Sequence, residues 1–180
     1  MKKARTLALF AAVAVAAAVG GAAYHLWSRG GTADGGTSPR AVAERVYAAR
    51  LADLKGSAQT LEPWRGQVLV VNFWATWCAP CREEIPGFVR LQERYGPRGL
   101  LFVGIAIDQP DKVADFAREF RINYPLLIGG LEIVDLLRQV GNRAGVLPYT
   151  LVIDRSGNLV SREPGGLKET KLEGIIQPLI

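Results

Sequence analysis

The sequence predicts an α/β layer fold: a central mixed β-sheet flanked by helices, with a hydrophobic segment at the N-terminus. Three observations carry that prediction. "QVLVVNFW" (67–74) and "LLFVGIAID" (100–108) are continuous apolar runs of strand length, the pattern of strands buried on both faces. Amphipathic stretches of helical period follow each of them. "PYTLVIDRSGNLVSRE" (148–163) reads as strand, polar turn at 156–158, strand, hence a hairpin. The resulting order, β-α-β-α-(α)-β-β-α, implies parallel strands joined by crossovers and then an antiparallel hairpin at the sheet edge.

The elements follow in order. Lys2, Lys3 and Arg5 precede "TLALFAAVAVAAAVGGAAYHLW", which carries no Asp, Glu, Lys or Arg. As a helix it would span roughly 33 Å, enough for a hydrocarbon core of about 30 Å. Residues 1–27 therefore read as a signal-anchor helix, with Tyr24 and Trp27 at its far end where interfacial rings sit. A cleaved signal peptide with "GGAAY" as its processing site is the competing reading. Under either, the charge bias keeps the N-terminus inside and the rest of the chain is exported. Residues 28–40, "SRGGTADGGTSPR", form a flexible tether, and 41–180 form the folded domain.

Within that domain Val42, Val46 and Ala49 recur at helical spacing, and "RLADLKGSAQTL" resembles a short hairpin turning at Lys55-Gly56. A helix is expected from near Cys78 to Tyr95, kinked by Pro86 and stopped at "YGP". "DKVADFAREF" places Val113, Phe116 and Phe120 on one face with Asp111 as its cap. "YPLLIG" is a short extended piece, "LEIVDLLRQVG" a helix ending at Gly141, and "KETKLEGIIQPLI" a closing helix.

The formal net charge of +5 invites a nucleic-acid reading, which fails on distribution. Three of the 22 Lys and Arg lie in the N-terminal basic region, which brings the remainder close to the 17 Asp and Glu. The charges are interspersed along solvated helix faces, as in "REEIPGFVRLQERYGPR", with no basic stripe interleaved with aromatics.

The chain has two cysteines, Cys78 and Cys81, in "TWCAPC". As a structural clip the pair would close a tiny loop, and stabilisation by cross-linking grows with loop length. A metal site needs three or four ligands, and the single histidine, His25, stands in the N-terminal apolar segment. A reactive pair accounts for the placement. Cys78 ends a buried strand and opens a helix, whose unsatisfied N–H groups and dipole favour a thiolate. Pro80 suits the first helical turn, where its missing N–H is not needed. Cys81, one turn on, is placed to resolve a mixed disulfide formed at Cys78.

"VNFWATWCAPC" followed by a helix with Glu-Ile-Pro resembles the active-site segment of the thioredoxin superfamily. Within it the likeness is to the membrane-anchored, periplasm-facing TlpA/ResA-like thiol–disulfide oxidoreductases, and it covers roughly residues 50–180. The resemblance implies a thioredoxin-like fold and a catalytic pair Cys78 and Cys81. It also implies Glu84 as the carboxylate near the disulfide, its pKa raised by burial. Pro148 in "GVLPYTLVID" would be the family's cis-proline, and the backbone of Leu147 would pair with an extended substrate. Trp77, Ala79 and Pro80 complete the implied substrate surface, while Trp74 and Trp77 shape the apolar surround of the sulfur. One departure stands out: Asn72 occupies the position of thioredoxin's buried aspartate, so acid–base work falls to Glu84 or water.

No cofactor is expected beyond the Cys78–Cys81 couple, and no metal. Ala-Pro between the cysteines lacks the histidine of strongly oxidising relatives, which with the resemblance favours a reductant. Its implied partners are disulfide-bearing exported proteins, such as apocytochromes c or copper-handling proteins of the respiratory oxidase. The chain lacks a nucleotide motif, so re-reduction is expected from an integral-membrane donor of the DsbD/CcdA type. The alternative is a non-catalytic binding or copper-delivery module on the same fold, which would need a third soft ligand.

Overall fold

The computed structural model describes residue 21 and residues 38–180 apart from Leu131. The segment 1–27, as an anchor or signal, lies outside the described residues, as does the tether up to residue 37. Among the described residues no helix is long and apolar enough to cross a membrane.

The folded unit begins at Ser38, inside what the composition assigns to the tether. Helix α1 spans Pro39–Tyr47 because Ser38 caps it, its hydroxyl accepting the Ala41 N–H at 3.2 Å, and Pro39 opens the first turn. Strands β1 (Leu51–Asp53) and β2 (Ala58–Gln59) form the expected hairpin. Asp53 accepts the N–H groups of Lys55 and Ser57, and Gly56 supplies the positive φ of 83° that the turn needs. A 3-10 turn, Glu62–Trp64, leads into β3 (Val68–Trp74), which is buried along its whole length.

Helix α2 runs over Ala79–Tyr95, continuous through Pro86, and a 3-10 turn at Gly96–Arg98 follows. Next come β4 (Leu100–Ala106), α3 (Pro110–Glu119), β5 (Leu126–Ile128), α4 (Glu132–Gln139), β6 (Tyr149–Ile153), β7 (Leu159–Pro164) and α5 (Glu169–Ile176). Asp111 does not cap α3. The cap is Gln109, and Pro110 starts the helix two residues earlier than a cap at Asp111 would, leaving Asp111 in the first turn where its charge still suits the dipole.

The seven strands form one sheet in the order β2-β1-β5-β4-β3-β6-β7. β3, β4 and β5 are parallel, and an antiparallel hairpin closes each edge. The period of two along β3 sorts its side chains. Leu69, Val71 and Phe73 face a core built with Val42 and Val46 of α1 and Ile133 and Leu137 of α4. Val68 and Val70 face the other, with Phe88 and Leu91 of α2 and Leu172 and Ile176 of α5. A third cluster, at the end of β3, joins Trp74 to Val113 and Phe116 of α3, to Ile85 and to both cysteines.

Candidate active site

The site is built where β3 ends and α2 begins. Cys78 occupies the N-cap of α2 in extended backbone geometry (ψ 108°), and its carbonyl accepts the Arg82 N–H at 3.2 Å. Ala79 and Pro80 form the first turn, so no side chain caps the helix and its leading N–H groups face the sulfur end. Cys78 and Cys81 are joined as a disulfide, with Cα atoms 5.3 Å apart. Their burial differs: Cys78 retains 6% exposure and Cys81 none, so an incoming sulfur meets Cys78 first.

The loop carrying Cys78 is strapped to the end of β4. Asp108 accepts both the N–H (3.2 Å) and the hydroxyl of Thr76. Burial works to raise the Asp108 carboxyl, and the donors Thr76 and Gln109 outweigh it, holding it below the usual carboxylate range. Trp74 lies beneath, its ring centroid 4.9 Å from that of Phe116. Its indole passes so close to Gly104 that a Cβ there would stand 2.9 Å from Nε1, which requires the glycine.

Behind the disulfide, Glu84 lies one turn beyond Cys81 and is 6% exposed. Oε1 accepts from Asn72 Nδ2 at 2.8 Å and Oε2 from the Leu167 backbone N–H at 2.9 Å. Asn72 Nδ2 also donates to Thr150 Oγ1 at 2.9 Å, its register partner on β6. Burial pushes the Glu84 carboxyl up to about 7, with the bonds from Leu167 and Asn72 opposing the rise. A carboxyl titrating there can both give and take a proton near neutrality.

Opposite the helix, the Leu147–Pro148 bond is cis. The loop ahead of it is held by buried Asn142, which donates to the Val146 carbonyl (2.8 Å) and accepts the Val146 N–H (3.0 Å). Leu147 is half-buried and packs on the cluster that holds the cysteines. Trp77, Ala79 and Pro80 are exposed around the same rim, and Pro148 is buried.

The residues singled out by sequence thus divide between two adjoining parts of one site. Glu84 sits on the buried side of the pair, while Trp77 and Leu147 belong to the outer rim and Pro148 is buried beside Leu147. Sequence reasoning missed the Thr76–Asp108 strap, the Asn142 staple, Thr150 and the Leu167 amide. Thr150 left a signal as a polar residue inside an apolar strand. The Leu167 bond left none, because it uses backbone. Among the described residues no group of His, Cys, Asp or Glu is arranged to hold a metal ion.

A CxxC disulfide at a helix start beside a cis-proline, on this sheet, defines a thioredoxin-fold thiol–disulfide oxidoreductase. Residues 42–162 match the family model described as the AhpC/TSA family, and the chain belongs to that family. It is 32% identical over 126 residues to the thiol–disulfide oxidoreductase ResA of Geobacillus kaustophilus, covering 68% of this chain and 69% of that protein. Against ResA of Bacillus cereus the identity is 29% over 129 residues, covering 71% and 72%. A thioredoxin-family thiol:disulfide interchange protein from Chlorobium tepidum superposes with a TM-score of 0.65 at 30% identity, over 73% of this chain and 92% of that one. A secreted Mycobacterium tuberculosis disulfide oxidoreductase shares the fold, with a TM-score of 0.64 at 19% identity over 76% and 98%.

Proposed function

We propose that the protein reduces disulfides of exported proteins on the outer side of the cytoplasmic membrane, in the periplasm, tethered there by residues 1–27. The observation that carries the assignment of roles is the unequal burial of the pair, Cys78 at 6% and Cys81 at 0%, at the start of α2.

In the reduced protein the Cys78 thiolate attacks a client disulfide. A Cys78–client bond forms, and the displaced client sulfur leaves as a thiolate that takes a proton from water. Cys81 then gives its proton to Glu84 or to water and attacks the Cys78 sulfur. This makes the Cys78–Cys81 disulfide and releases the second client thiolate. Two electrons pass from the protein dithiol to the client, so a dithiol donor must restore the protein. An integral-membrane donor of the DsbD/CcdA type fits that need. Apocytochromes c and copper-handling proteins of the oxidase are the client classes that the family likeness suggests. Leu147, beside Pro148, offers its backbone to the client chain.

The order of attack is tested by trapping. Cys81→Ser should accumulate mixed disulfides with clients and Cys78→Ser should not; the opposite pattern overturns the assignment. The direction is tested by the reduction potential of the couple. A value near about −120 mV, at the strongly oxidising end, would make the protein an oxidant.

A further inference from the structure

Among the described residues four large hydrophobic side chains are exposed; two of them, Trp77 at 69% and Val134 at 44%, line one slot, and a third, Val146 at 41%, precedes Leu147 of its wall. They belong to three separate segments, the strand–helix loop, α4 and the loop before Pro148. Between these segments lies a slot of about 330 Å³, with Trp77, Ile107, Leu137 and Leu147 among its walls. Apolar side chains grouped on one slot, rather than scattered singly, offer an apolar group of a partner a place to bury. The Asn142 staple fixes one wall, so the slot is formed in advance of binding. Neither backbone group of Leu147 is hydrogen-bonded among the described residues, which leaves both for an extended chain.

The charge on this slot has one sign. Arg138 and Arg143, both exposed, line it, and no carboxylate does. The nearest acid to Arg138 is Asp135, 3.6 Å away on the same face of α4, with both side chains well exposed. Such a pair is worth little and leaves the arginine able to meet a stronger partner. Arginine is also the side chain whose planar fork matches a carboxylate in two bonds.

We infer that this slot selects its clients: it takes an extended segment with a bulky apolar side chain next to the attacked cysteine and a carboxylate within two residues of it. The inference rests on the reading of the protein as a disulfide reductant and names the substrate class of that site. The apolar side chain fills the slot against Trp77 and Leu147 while the acidic residue reaches Arg138 or Arg143. Successive residues of an extended chain rise about 3.3 Å, so two residues carry the acidic group about 7 Å along the chain from the attacked cysteine. The reaction itself is unchanged: a Cys78–peptide bond forms as the peptide's own disulfide breaks, and Cys81 then displaces the peptide thiolate.

The test uses the dithiothreitol-reduced protein, freed of reductant, and two nonapeptides. Each carries one cysteine in mixed disulfide with 2-mercaptoethanol, preceded by leucine and flanked by either two glutamates or two lysines. The glutamate peptide should be reduced about ten-fold faster at low salt, a ratio that shrinks toward one at about 0.5 M NaCl. The double variant Arg138→Glu, Arg143→Glu should reverse the preference. Equal wild-type rates on the two peptides would overturn the selectivity and leave the reductase reading standing. Failure to reduce hydroxyethyl disulfide, a small neutral disulfide, would instead overturn the reductase reading and this inference with it. A concentration-dependent dimer in sedimentation, abolished by Arg143→Glu, would assign the slot to a second copy of the chain and overturn the client assignment.

Discussion

Glu84 is a carboxyl whose folded state costs stability when it is charged. Its pKa rises from 4.5 to about 7 on folding because burial disfavours the anion more than Leu167 and Asn72 support it. Between those values the folded chain holds more protons than the unfolded one, so stability falls as pH rises through the window. The loss is complete above the folded value and amounts to about 3 kcal/mol at most. Glu84→Gln should remove this slope from urea unfolding measured between pH 5 and pH 8 (about the range that brackets the titration). Glutamine can be accommodated: its oxygen accepts from Leu167, and the Asn72 amide turns over to offer Oδ1, which has no partner now. The same variant should flatten any inflection near neutrality in the exchange rate. An unchanged stability profile would show that the carboxyl is solvated, and an unchanged rate profile that it handles no proton. The position of Glu84 was legible in "CREEIP", but its partners were not, because Thr150 lies on a strand 78 residues from Asn72.

The elements were legible where one physical signal dominates. β3 and β4 declare themselves by unbroken apolar runs, and α3 by apolar residues at helical spacing. The β1–β2 hairpin shows in its Lys-Gly turn. The start of α1 was misplaced because "TSPR" has the composition of a linker, yet Ser-Pro is also a cap and a first turn. The loops between elements were the least legible, and they hold the site in shape. Asn142 donates one hydrogen bond to Val146 of the loop before Pro148, accepts another from it, and is 4% exposed. Asn142→Ala should therefore destabilise the fold by about 1–3 kcal/mol, the net worth of two part-buried hydrogen bonds. It should also raise KM for protein clients more than for hydroxyethyl disulfide, since the wall of the slot loosens while the sulfurs stay in place. Equal changes for both substrates would place the defect at the disulfide itself.

At the scale of the whole molecule, the cycle demands that the chain stay folded in both oxidation states. Its architecture meets that demand by separating stability from chemistry. The sheet is covered on one face by α1 and α4 and on the other by α2 and α5, and those two cores hold no cysteine. The disulfide spans a sequence separation of only three, so it restrains little of the unfolded chain. Loop-closure entropy for so short a link is about 2 kcal/mol, a small part of what a domain of this size withstands. Thermal unfolding followed by circular dichroism, with and without a phosphine reductant, should give a cooperative transition in both states. The reduced protein should melt about 5–10 °C lower. Loss of the cooperative transition on reduction would mean that the Cys78–Cys81 bond carries the fold, and a bond that carries the fold cannot be opened and closed in every turnover.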